Sequence, residues 1–128
     1  MNKALVATQK YFESSMGQTP EYKSWHRLFK REFTAFLTDF MGCSNIQIGK
    51  PNHFDISGFF QRPSGQIWYF LISDLRWSKD NMLVRTAESF KDYTGETNQY
   101  VALDNEVNFT FAFRNIILNQ EKRHLDLV

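Results

Sequence analysis

Cysteine is nearly absent from this chain: Cys43 is the single one in 128 residues. One thiol excludes an intramolecular disulfide and a multi-cysteine zinc framework. Cys43 itself reads as a small apolar filler after a helix, since a nucleophile would need a basic partner nearby. Long apolar runs are missing as well. None approaches the ~20 residues of a membrane span, and the opening MNKALVATQKYF holds no signal-like stretch. The expectation is a cytosolic protein. Charge of one sign is also lacking. The net charge of +1 indicates neither an acidic DNA mimic nor a strongly basic nucleic-acid coat. Its distribution is mildly uneven, +3 over residues 1–50 and −2 over residues 91–128. There is no P-loop, Gly-rich dinucleotide turn, nucleophile elbow, HxxxH, HExxH or DxD. No repeat, low-complexity segment or linker divides the chain, so its length points to one domain able to bury a core without staples.

What the chain has instead is aromatic bulk: thirteen Phe, five Tyr and three Trp. So many rings cannot all be interior, and some are expected at the surface. They concentrate first in residues 53–76, HFDISGFFQRPSGQIWYFLISDLR. From His53 to Gln61 apolar positions alternate, with Phe54, Ile56, Gly58 and Phe60 on one face, which marks a strand with one buried face. Arg62-Pro63-Ser64-Gly65 is turn chemistry: Pro63 presets φ and Gly65 supplies the left-handed residue. Ile67 to Ile72 is apolar on both faces. It reads as a central strand, covered on both sides or on one side with aromatics exposed on the other.

Residues 1–42 read as helical. A first helix over 3–16 would place Leu5, Phe12 and Met16 on one face. Thr19-Pro20-Glu21 then opens a second in the preferred way, with a cap, a proline at the first position and an acid near the dipole's positive end. From Pro20 to Met41, Tyr22, Trp25, Leu28, Phe29, Phe33, Phe36, Leu37 and Phe40 recur at spacings of three and four. Gly42 ends the helix. Its far side carries Lys23, Arg27, Lys30 and Arg31, either a phosphate-tracking stripe or a solvated basic face. Glu32 falls inside the apolar arc and Asp39 on its edge. Seven residues apart, they point the same way. They are either an acid/base pair in a cleft between helix and sheet, or boundary carboxylates paired with Arg62, Arg76, Arg85 or Arg114.

Residues 43–103 read as an antiparallel sheet. Asn45 to Ile48 is a short first strand, Met82 to Ala87 follows the hairpin, and Tyr100 to Leu103 is a short last strand. His53 and Asp55 share a strand side and could ligate a metal, but no third ligand has a recognisable spacing. Arg85 shares a face with Leu83 and Ala87, from which it could reach a carboxylate or line a surface. Residues 104–128 are ambiguous. Val107, Phe109, Phe111 and Phe113 alternate as in a strand, yet Val107, Phe111 and Leu118 fit one helical stripe and Phe109, Phe113 and Ile116 another. A buried C-terminal helix is the expectation, with Glu121 to Val128 frayed. The fold class is therefore α+β: N-terminal helices packed on a small antiparallel sheet, with a C-terminal helix.

Ser57-Gly58-Phe59-Phe60, Tyr69-Phe70, Ser73-Asp74-Leu75-Arg76, Arg85-Thr86-Ala87 and Asp92-Tyr93-Thr94-Gly95 with Asn98 together resemble small uncharacterised proteins of phages, plasmids and conjugative elements. Glu96 stands where that pattern has a second glycine. The resemblance covers roughly residues 53–98 and brings no activity or cofactor with it. It implies a mobile-element accessory, either an inhibitor of a host system or a partner in DNA maintenance.

Three classes of function stay open. The first is a non-catalytic protein-binding module that docks on a host protein, favoured by surplus aromatics and Arg and by the missing catalytic motifs. Its surface is expected at one end of the sheet, in Asp74, Arg76, Trp77, Asp92, Tyr93 and Asn98, with Arg76 beside Trp77 as a cation–ring pair. A plainer reading has Asp74 and Asp92 holding the turns. The second is a nucleic-acid binder that stacks bases on Trp68, Phe70 or Trp77 and tracks phosphates with Lys23, Arg27, Lys30 and Arg31. The third is a metal-dependent hydrolase or nuclease built from Glu32, Asp39, His53 and Asp55.

Overall fold

The computed structural model describes residues 20–49, 56–72, 82–92, 98–103 and 106–127, without the side chains of 20–23, 25, 106 and 124–127. The helix expected over 3–16, the Thr19 cap and the residues His53, Asp55, Asp74, Arg76, Trp77 and Tyr93 lie outside that set.

Helix α1, Pro20–Ala35, runs directly into a π-helical turn, Phe36–Phe40. Its three–four spacing lays Phe29, Phe33, Phe36 and Leu37 along one buried stripe. Phe40 was expected on that stripe and is instead 72% exposed. The cause is the π turn. Met41 N–H donates to Phe36 C=O at 3.2 Å, one residue wider than the α-helical bond. The wider turn rotates Phe40 off the stripe, where it stacks on Phe36 with ring centroids 6.0 Å apart. Cys43 N–H donates to Leu37 C=O at 2.8 Å and closes the helix end.

Five strands follow: β1 Ser44–Gly49, β2 Ile56–Gln61, β3 Ile67–Ile72, β4 Met82–Ala87 and β5 Gln99–Val101. They pair in chain order, each antiparallel to the next. The β2–β3 hairpin closes on Arg62 to Gly65 as its turn residues dictate. Gly65 N–H donates to Arg62 C=O at 2.8 Å, and Gly65 has φ +98°. β1 carries a bulge between Ser44 and Gln47, with Asn45 at φ 49°. At Gly58 the β1 backbone comes so close that a Cβ would sit 1.9 Å from Gln47 O, so no larger residue fits without moving β1.

Helix α2, Glu106–Leu127, closes the fold. The helix expectation for this ambiguous segment holds, because Phe109, Phe113 and Ile117 bury completely at helical spacing. The predicted fraying from Glu121 does not occur: the helix runs on to Leu127, and Glu121 is tied to Arg62 of the hairpin turn at 2.6 Å.

α1 and α2 cover one face of the sheet. Phe33 is central, edge-on to Phe70 at 5.0 Å and to Phe113 at 5.6 Å. Phe60 meets Phe113 at 5.8 Å and Trp68 in a stacked pair at 6.4 Å. Edge-on ring pairs add about 0.5–1.5 kcal/mol each beyond their burial. On the opposite face Phe59, Tyr69 and Ala87 form a smaller buried cluster flanked by Leu71, Leu83 and Phe90. This corrects the expectation of one buried face for β2: Ser57 and Phe59 are buried as well. β2 is an interior strand, and the Phe59 ring shields itself against Tyr69 at 5.1 Å and Phe90 at 6.1 Å. No described helix is long and apolar enough to cross a membrane.

Candidate binding surfaces

The residues expected to bind that the structure describes sort into three places, and the structure adds a fourth. Asp92 accepts the Glu88 backbone N–H at 3.0 Å through Oδ2, and its C=O accepts from Arg85 Nη1 at 3.4 Å. Arg85 is buried, with its guanidinium 4.4 Å from the Tyr69 ring centroid. Asp92 thus holds the turn after β4, and Arg85 covers the second cluster, reaching a carbonyl and a ring. Asn98 is exposed just before β5. The strand ends that bear the two proposed loops lie apart. Ile72 pairs with Met82 at one end of β3–β4, and Ile67 pairs with Ala87 at the other. The chain therefore leaves for residue 74 and for residue 92 from opposite ends of the sheet.

On the basic face, Arg27, Lys30 and Arg31 are exposed. Arg27 donates to Ser24 Oγ at 3.4 Å, and Arg31 pairs with Glu32 at 3.6 Å. Trp68 and Phe70, expected as base-stacking platforms, are fully buried. Both side chains point to the helix-covered face, where α1 and α2 leave no room for a base.

Glu32 and Asp39 do come together, although not between helix and sheet. Both line a recess of about 260 Å³ at the junction of α1, the π turn and α2, together with Ala35, Phe36, Phe40 and Thr110. The expected pairing of these acids with a remote arginine is overturned for the arginines described. Arg62 goes to Glu121, Arg85 to Tyr69 and Asp92, and Arg114 is exposed. Glu32 takes its own neighbour, Arg31, while Asp39 makes no ion pair among the described residues. Thr110 of this recess is flanked along α2 by Val107 and Phe111, one turn apart and 71% and 65% exposed.

The fourth place is one the sequence did not single out. Arg62 reaches across 59 residues to Glu121, with Nε 2.6 Å and Nη2 3.4 Å from the two carboxylate oxygens. Its Nη1 donates to Met41 C=O. Cys43 sits beside this clamp, buried. Burial pushes its thiol up to about 11, against the pull of the Arg62 charge and with a further push from Glu121. A thiol so held is a filler, as its isolation in the sequence suggested. No periodicity links a turn arginine to a helix glutamate 59 positions on, which is why the pair was not legible. Beside the clamp, the hairpin turn, the end of β4 and α2 line a half-open cavity of about 460 Å³.

Among the described residues no three His, Cys, Asp or Glu side chains sit close enough to share a metal ion. No family model, no curated protein and no solved structure matches this chain.

Proposed function

We propose that the protein is a non-catalytic docking protein whose partner is another protein, held on the apolar surface formed by Phe40, Val107 and Phe111. One observation carries this reading: Phe40, which lines a recess with two carboxylates and Thr110, and Val107 and Phe111, which flank Thr110 in α2, stand 65–72% exposed. Contiguous exposed apolar surface rimmed by polar groups is characteristic of interaction sites. Asp39, beside Phe40 and without an ion pair among the described residues, selects the partner's chemistry: a segment with apolar anchors and a lysine or arginine that comes to rest against Glu32 and Asp39. The resemblance to mobile-element proteins makes a host protein the expected class of partner, inhibited or adapted by the contact.

The test is affinity capture from the producing cell after nuclease treatment, comparing the native chain with a folded Phe40→Ser/Phe111→Ser variant and with Asp39→Asn. A protein kept by the native chain, lost by the double variant and weakened by Asp39→Asn supports the reading. The same protein retained by the double variant overturns it. Capture abolished by nuclease overturns it in favour of nucleic-acid binding through Arg27, Lys30 and Arg31.

A further inference from the structure

The outer stripe of α2 continues past its apolar pair. Val107, Phe111, Arg114 and Leu118 fall at i, i+4, i+7 and i+11 of one helix, a spacing that keeps all four on one side over roughly 17 Å. Val107, Phe111 and Arg114 are exposed and Leu118 is half-buried. Arg114 therefore stands between two apolar side chains, and it makes no ion pair among the described residues. Thr110, one residue before Phe111, lines the recess that holds Glu32 and Asp39, and it lies one turn from Arg114 along the helix. The stripe offers a partner side chains only. The backbone N–H and C=O groups beneath it are spent inside α2, so an extended segment laid on it would find no ladder for its own backbone. A helix satisfies its backbone internally and docks by anchors at three- and four-residue spacing. Covering Phe111 and Leu118 also takes Arg114 out of water, and a desolvated cation without a counter-charge is strongly unfavourable. The same holds for the two carboxylates when Phe40 is covered.

We propose that the partner segment is an amphipathic helix of about three turns laid along α2. It carries apolar anchors for Val107, Phe111 and Phe40, a carboxylate for Arg114 and, at least one turn from that carboxylate, a lysine or arginine for Glu32 and Asp39. This rests on the docking reading above and adds to it the form of the segment and its acid. A purely basic helix leaves Arg114 covered and unpaired, and a purely acidic one does the same to the recess, so charge of both signs is what the face selects.

The probe is a phage-displayed library of single helices on an alanine-rich frame, randomised along one side. It is selected on the native protein and depleted on the folded Phe40→Ser/Phe111→Ser variant, so that only binders of this face are kept. The expected survivors combine apolar anchors with one acid and one lysine or arginine at least a turn apart. Arg114→Glu, a change at an exposed position, should weaken a surviving peptide about fivefold, and replacing that peptide's acid by lysine should recover most of the loss. Survivors that lack an acid, or that bind Arg114→Glu as well as the native chain, would overturn the assigned charge pattern and leave the docking surface standing. A library in which no helix distinguishes the native protein from the double variant would overturn the helical partner. The docking surface itself is then judged separately, by the capture experiment with the same variant.

Discussion

Helix α2 carries two apolar stripes with opposite fates. Phe109, Phe113 and Ile117 are completely buried against α1 and the sheet, while Val107 and Phe111, on the other side of the same helix, are 71% and 65% exposed. The rings on the two sides are chemically identical, so apolar content did not decide which stripe was buried. Two constraints did. Phe113 finds complementary rings in Phe33, Phe36 and Phe60 at 5.6–5.8 Å. Glu121, on the boundary between the stripes, is fixed by Arg62, which sets the rotation of the helix about its axis. A helix that is apolar on both sides usually has something on both sides. The exposed stripe is therefore where a partner is to be sought.

Removing a ring from the inner stripe should have the largest effect. Phe113→Ala leaves a cavity beneath four aromatic neighbours and should cost about 3–5 kcal/mol in urea denaturation. A loss below about 1 kcal/mol would mean that α2 can rotate its outer stripe inward, and the distinction between the two sides would collapse.

The same two stripes explain how much of the fold was legible in advance. The Phe109, Phe113 and Ile116 stripe and the Val107, Phe111 and Leu118 stripe were both visible, but two helical stripes on one segment also read as an alternating strand, so helix and strand stayed in competition. The hairpin was legible because its turn residues are specific, and Gly65 takes the positive φ they require. Phe40 was misplaced because a π turn changes the residue count per turn without any sequence mark. Glu32 and Asp39 were correctly placed on one side of α1, but what they faced depended on where α2 packed. The cavity beside Trp68 needed the hairpin turn, β4 and α2 assembled, and residues more than fifty positions apart carry no shared periodicity.

Cys43 gives a finer probe of the clamp that orients α2. With the thiol raised from 9.0 to about 11, the native protein at pH 8 should hold about 100-fold less thiolate than the unfolded chain, and labelling by a disulfide reagent should slow at least in proportion. The linkage sign follows. Between about pH 9 and 11 the unfolded chain has released a proton that the folded chain still keeps, so stability falls as pH rises through that window and is unaffected by this group below it. Urea midpoints at pH 8, 9.5 and 10.5 should therefore decline more for the native protein than for Cys43→Ala. Parallel declines, with labelling at the rate of a free thiol, would place Cys43 outside the Arg62–Glu121 clamp.

The smallest expected effect is on the outer stripe, and its smallness is informative. Phe111 is 65% exposed and belongs to neither buried cluster. Phe111→Glu removes little buried area, replaces an aromatic residue by a better helix former, and places a carboxylate three residues before Arg114, a spacing that favours pairing on a helix. These contributions are each a few tenths of a kcal/mol, so stability should change by no more than about 0.5 kcal/mol in either direction. The measurement is urea denaturation at two protein concentrations a hundredfold apart. A near-zero change at both leaves the stripe free for a different protein, as proposed. A loss of about 2 kcal/mol that appears only at the higher concentration would show that a second copy of this chain covers Phe111, since association stabilises in proportion to the concentration of the binding partner. A loss of that size at both concentrations would mean that the stripe is covered within the chain itself. The contrast between the two sides of α2 would then be one of depth within a single core.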